Sequence, residues 1–222
     1  MVDLDPLYPD AAILGPMCLL YRLDSSAKAI AGLFAADPGA DPWTGDYVAP
    51  GKFAPVIVQG KDSRRLVPRV WGVPPPPKVA AEGGRPVYNV RNLDSPFWTG
   101  TLRHTEFRCL VPVTSFMEWG GVRGAKTQHW FTVPSEPVFA FAAIWRDSEV
   151  PSFALLTCDS NPLVGAVHDK SMPVILNPWD YDRWLTGDWA DARGLVDPFP
   201  SQLMAEARGR PPPSMSPQLT PR

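Results

Sequence analysis

The chain has 222 residues, 45% of them hydrophobic, and a net charge of −2. That is enough for one domain with a full core, and no stretch approaches the ~18 consecutive apolar residues of a membrane span. No membrane partner is expected. Asp3, Asp5 and Asp10 near the start, without a basic segment or long apolar run, exclude a signal peptide. The 28 prolines favour short strands, turns and extended connections over long helices. Cys18, Cys109 and Cys158 lack metal-ligand spacing, so no metal or other cofactor is expected. An odd cysteine count without a secretion signal predicts reduced thiols in a cytoplasmic protein.

The charge is unevenly spread. Residues 52–130 carry 12 basic and 5 acidic side chains, a local balance of +7, whereas residues 1–51 and 131–222 are −5 and −4. The basic middle also holds Trp71, Trp98, Trp119 and Trp130. Two readings fit: backbone contacts plus base stacking on single-stranded DNA, or a mixed solvated surface over core tryptophans.

Residues 1–16 show no clear period and read as a disordered leader or a misassigned start. Leu19 to Tyr21 is a short buried strand. Ser25 or Ser26 caps a helix carrying Ile30, Leu33 and Phe34. Asp37 to Pro50 is turn-rich and reads as a surface loop. Val56 to Val58 and Leu66 to Val73, separated by a turn at Gly60 to Ser63, form a hairpin. Pro74 to Pro77 is a stiff polyproline II segment. Val87 to Arg91 is extended, and Ser95-Pro96 opens a short helix through Leu102. His129 to Val133, Val138 to Trp145, Phe153 to Cys158 and Met172 to Leu176 read as strands, with a loop or helical turn at Asn161 to Val167. Asn177-Pro178 opens a helix ending at Gly187. Residues 201–208 suggest a final helix, and 209–222 a disordered Pro/Ser-rich tail. The expected fold is α+β: one β-rich domain over residues 17–208, with a barrel-like antiparallel or mixed sheet core and a few peripheral helices. A monomer is expected.

The organising stretch is Arg108 to Trp119. It reads as a buried strand, a short break and a second extended segment. Glu118 sits between Met117 and Trp119. A carboxylate in apolar surroundings either finds a partner or has its pKa raised, which suits general acid/base work. The bland alternative is a solvent-facing Glu on an edge strand.

Several motifs then follow one another: Met17-Cys18, Trp71-Gly72, Asn89-Val90-Arg91, Arg108-Cys109-Leu110-Val111-Pro112, Ser115-Phe116-Met117-Glu118-Trp119, Phe141-Ala142-Ala143-Ile144-Trp145 and His168-Asp169-Lys170-Ser171-Met172-Pro173. Together they resemble the SRAP family, the SOS-response-associated peptidases or abasic-site processing proteins, over about residues 17–208. The Trp71-Gly72-Val73-Pro74-Pro75-Pro76-Pro77 segment resembles one bacterial branch.

The resemblance implies a DNA-damage protein that binds single-stranded DNA containing abasic sites. Removal of Met17 would expose Cys18 as an N-terminal 1,2-aminothiol, which forms a covalent thiazolidine with the ring-opened sugar. It implies further that Asn89 orients the sugar and the cysteine amine, that Glu118 shuttles protons, and that His168 protonates the ring oxygen. Arg91 would hold a DNA phosphate, and Arg108 joins the DNA-binding set. Trp71, Gly72 and Pro74 would support stacking or bending of the strand, although Trp71 reads equally as core. An SRAP-type autopeptidase activity, and a lyase-type step, belong to the same expectation.

The chemistry stands without the resemblance. An α-amine with a pKa near 7.7–8.0 condenses with an aldehyde, and an adjacent thiol closes a five-membered ring on the imine. Departures from the family pattern are Leu19 and Leu20 after the cysteine, where relatives carry Gly and Arg, and Val90, Leu93 and the extra Ser171. The leader is the largest departure. Cys18 has a free amine only if translation starts at Met17 or the leader is cleaved. Two rivals remain: a cysteine hydrolase using Cys18 and His168, and a non-catalytic single-stranded DNA binder.

Overall fold

The computed structural model describes residues 20–122, 125–147 and 150–208. The elements in chain order are β1 (Leu20–Leu23), α1 (Ala27–Leu33), β2 (Ala36–Asp37), β3 (Asp46–Val48), β4 (Phe53–Gln59), β5 (Arg64–Trp71), α2 (Pro77–Ala81) and β6 (Asn89–Val90). They continue with α3 (Pro96–Arg103), β7 (Arg108–Val113), β8 (Ser115–Gly120), β9 (Thr127–Thr132), β10 (Phe139–Asp147) and β11 (Pro151–Cys158). The last are α4 (Pro162–Gly165), β12 (Met172–Pro173), β13 (Ile175–Leu176), α5 (Tyr181–Thr186), α6 (Trp189–Arg193) and β14 (Ala205–Arg208).

The core is a closed ring of strands. The hairpin partner β4 pairs with β7, β7 with β10, and β10 with β11, all antiparallel. The ring shuts where β11 runs parallel to β5, with Phe153 opposite Trp71. Every residue of β7 is buried, as are Phe139 to Ile144 of β10. Such strands read as continuous apolar runs because both faces are covered. A second sheet has the order β14-β9-β8-β1-β3. The chain passes from barrel to second sheet through one residue, Thr114. Its hydroxyl donates to the Arg22 carbonyl at 3.0 Å and accepts from the Asp24 amide at 3.3 Å, tying the corner to β1.

Aromatic rings join the two sheets. Phe116 stacks on Phe131 within the second sheet and meets Phe141 of the barrel edge-on, with centroids 5.6 Å apart. Tyr21 packs on Trp71 and Phe141. Pairs of this kind add ~0.5–1.5 kcal/mol beyond their buried area.

Several local expectations hold. Ser26 caps α1 by accepting from the Ala29 amide, and Pro96 occupies the first turn of α3. Others are corrected. The stretch Asp37–Pro50 contains a strand, β3, drawn in by pairing with β1. The four prolines are not all polyproline II: Pro76 is extended at φ −51, ψ 145, but Pro77 is the first residue of α2, where a missing N–H costs nothing. Met172 to Leu176 is two short strands, β12 on β11 and β13 on β10. The expected helix at 201–208 is a single 3-10 turn followed by β14, which pairs with β9. The Ala-Glu-Ala-Arg sequence favours a helix, but four residues cannot outweigh an open sheet edge.

Candidate functional site

Glu118 lies on β8 and faces inward with Phe116, because alternate strand residues share a face. It is only 3% exposed. Its Oε1 has no hydrogen-bond partner among the described residues. Burial pushes the carboxyl up to about 8, from an ordinary 4.5. The inward reading of the sequence therefore holds, and the acid is uncharged for much of the neutral range.

Asn89 belongs to β6, which runs parallel to β11 with Asn89 opposite Leu155. It is 6% exposed, and neither its amide oxygen nor its amide nitrogen has a hydrogen-bond partner among the described residues. Buried amides are paired in the great majority of folded proteins, and each orphaned group costs ~1–3 kcal/mol. A fold that leaves an amide and a carboxyl oxygen unmet has donors and acceptors to offer to something else.

His168 follows α4. Asn161 caps that helix by accepting from the Val164 amide at 2.9 Å, while its Nδ2 donates to the Phe199 carbonyl. The His168 amide then donates to the Val164 carbonyl, and Ser160 Oγ donates to the His168 carbonyl at 2.8 Å. Two contacts involve residues near these three in sequence. Arg91, two beyond Asn89, forms an ion pair with Asp159. Asp159 adjoins Ser160, which holds the backbone of His168. Val167, beside His168, lies against Gly120, two beyond Glu118: a Cβ on Gly120 would sit 3.1 Å from Val167 Cγ1. The Asn89 amide and Glu118 Oε1 are thus buried and unmet among the described residues, on different sheets, while His168 is placed by its backbone in the turn after α4.

Cys18 lies outside the described residues, as do the 1–16 leader and the 209–222 tail. The first described residue after it, Leu20, is the register partner of Met117.

The expected DNA-contacting residues divide. Arg91 is half exposed, although Asp159 already pairs with it. Pro74 is partly exposed. Trp71 is core: it is fully buried, stacks on Phe153, and donates its Nε1–H to the Tyr88 carbonyl at 2.9 Å. Gly72 serves the same packing. Its φ is +132°, and a Cβ would sit 2.7 Å from the Tyr88 ring.

Arg108 is a correction. It is 1% exposed and its guanidinium donates to the carbonyls of Leu102, Arg103, Trp184 and Gly187. It closes the C-terminal ends of α3 and α5, where a cation meets unpaired carbonyls and the negative end of each helix dipole. Its donors face the interior, so it has none to give a phosphate.

Two residues stand out to which the sequence assigns no functional role. His129 lies opposite Glu118 across β8 and β9, and Glu206 of β14 holds it. The long turn between β8 and β9 hides that register in the sequence. Cys109 and Cys158 are buried free thiols, as strand positions imply. Among the described residues no group of ligating side chains could hold a metal ion, and no helix is long and apolar enough to cross a membrane.

A closed barrel of mixed strands joined by aromatic rings to a second sheet defines the fold class. The family model described as SOS response associated peptidase (SRAP) matches residues 17–208, and the chain belongs to that family. Solved structures share the fold. A Bacteroides thetaiotaomicron protein superposes with a TM-score of 0.74 at 21% identity, covering 87% of this chain and 92% of that one. A Bordetella bronchiseptica protein gives 0.73 at 22%, covering 87% and 100%. A phage-related protein from the same bacterium gives 0.66 at 19%, covering 87% and 95%. A comparison with curated proteins found no match.

Proposed function

We propose that this chain captures abasic sites in single-stranded DNA by forming a thiazolidine through Cys18, with Asn89, Glu118 and His168 as the acting side chains. The observation that supports the reading is the pair of orphaned buried groups, the Asn89 amide and Glu118 Oε1.

The steps follow from what these groups can do. The Cys18 amine adds to the sugar aldehyde, and the carbinolamine loses water to give an imine. Glu118 takes a proton from the attacking amine and returns it to the departing hydroxyl, a task suited to a carboxyl whose pKa lies near the working pH. The Cys18 thiol then adds to the imine carbon, its proton passing to nitrogen, and the ring closes. His168 protonates the sugar ring oxygen as the aldehyde is unmasked. The Asn89 amide holds both amine and sugar hydroxyl, since it can donate and accept. Arg91 positions a phosphate by exchanging Asp159 for it.

The amine requirement fixes the start of the active form at Cys18. The test is incubation of the Met17-start protein with a single-stranded oligonucleotide carrying one abasic site, followed by a denaturing gel. A shifted band in the parent and none in Cys18→Ala is expected. No denaturant-resistant band in the parent, with peptide cleavage instead, would move the assignment to the hydrolase reading. Reversible binding alone would move it to the non-catalytic one.

A further inference from the structure

His129 is held at both ring nitrogens. Nδ1 lies 2.7 Å from Glu206 Oε1, and Nε2 lies 2.7 Å from Thr127 Oγ1. The carboxylate accepts from Nδ1–H, so Nε2 of the neutral ring accepts from the threonine hydroxyl, and Nε2–H of the charged ring donates to it. The His129 and Glu206 side chains are 13% and 17% exposed, whereas Thr127 is exposed. The ring therefore spans from the interior to solvent.

Its interior side meets the site. His129 is the direct register partner of Glu118. Directly opposed residues share a face, with Cβ atoms ~5 Å apart. Gly120 makes room for the ring: a Cβ there would sit 2.6 Å from His129 Nε2. The same glycine touches Val167, the neighbour of His168. The titratable groups facing His129 are Glu118, its register partner on β8, and Glu206 from β14.

The geometry points to His129, braced by Glu206 and Thr127, as the positioning residue that exchanges Glu118's proton with solvent. The inference rests on the capture reaction proposed above. Glu118 is buried and must release a proton before it can act as a base. That proton passes to His129 Nε2, directly or through one water; the same Nε2–H then goes to the Thr127 hydroxyl, which releases its own proton to solvent, while Nδ1–H stays hydrogen-bonded to Glu206. Glu206 stays ionised throughout and stabilises the charged ring. The reverse sequence reloads Glu118. No proton is gained or lost over the cycle.

The test compares Met17-start protein with His129→Gln and His129→Ala. Gln keeps a donor and acceptor in the gap, so the fold is retained. His129→Gln is expected to slow adduct formation about ten-fold, less than the ~10²–10⁴ of a direct acid–base group. Added azoles should rescue His129→Ala at rates that follow azole basicity. An unchanged rate in His129→Gln overturns the inference, as does rescue that ignores azole basicity, which marks mere cavity filling. A readout independent of capture is the carboxyl titration of isotopically labelled Glu118. In the parent it should show two linked steps, and in His129→Gln one. Identical curves overturn the inference whether or not the parent forms an adduct, and absence of the adduct alone overturns only the capture reading.

Discussion

Leu20 and Met117 face each other across β1 and β8. One residue further along β8 is the buried carboxyl of Glu118, and two residues back along the chain is Cys18. The capture reaction proposed above makes the start of the active protein testable. Protein made from the native locus is expected to have Cys18 as its first residue by intact-mass measurement. Active protein that retains Met1 would contradict the mechanism, because an amide nitrogen cannot form the imine.

Glu118 makes stability depend on pH in a direction opposite to most carboxylates. Its folded pKa is raised from 4.5 to about 8 by burial. Below the lower value both states are protonated and no charge is buried. Between the two values the unfolded chain binds fewer protons than the folded one, so stability falls as pH rises. The effect amounts to roughly several kcal/mol across the window, at about 1.4 per pKa unit. Glu118→Gln removes it. The variant is expected to melt well above the parent at pH 8 and level with it at pH 4, while adduct formation drops about 100-fold or more. A flat difference in Tm between the two pH values would show that Glu118 is not buried in an uncharged form.

How far this site could be read in the sequence depends on the kind of fact. Met117 and Trp119 beside Glu118 announced an acid in apolar company, and β7 and β8 break where their apolar runs suggested. Pairing partners were not readable. Closure of the barrel depends on Phe153 meeting Trp71, residues 82 positions apart in a parallel register that no local pattern encodes. Ala205 to Arg208 are helix formers, and only the free edge of β9 makes them the strand β14. Arg108 misled for the same reason: a guanidinium reads as a surface charge until two helix ends arrive around it.

Arg108 and Arg91 should accordingly separate in experiment. Arg108→Met leaves four buried or partly buried carbonyls without their donor. It should cost about 3–5 kcal/mol of stability, seen as a large loss in Tm, with unchanged oligonucleotide affinity in whatever fraction stays folded. Arg91→Ala should barely alter Tm, since its pair with Asp159 is exposed. It should weaken single-stranded DNA binding and lower the salt slope by about 0.7, the value for one phosphate contact. The reverse pattern would restore Arg108 to the DNA surface.

The Trp71-Gly72 step ties the core to the site through Tyr88. Trp71 donates to the Tyr88 carbonyl, Gly72 lies against the Tyr88 ring, and the next residue is Asn89. Gly72→Ala meets two obstacles, a φ of +132° that an L side chain rarely adopts and a Cβ only 2.7 Å from the ring. A loss of about 1–3 kcal/mol is expected from the backbone strain. The ring must also shift, carrying Asn89 with it, and a misplacement near 1 Å can cost about 100-fold in rate. Adduct formation by Gly72→Ala, measured well below its Tm so that the chain is folded, should therefore fall far more than stability does. Trp71→Phe leaves Gly72 in place and keeps an aromatic ring against Phe153, so it should lose stability but retain capture. If Trp71→Phe instead abolished oligonucleotide binding while remaining folded, the tryptophan would be a DNA wedge after all, and its burial would have to open when the strand arrives.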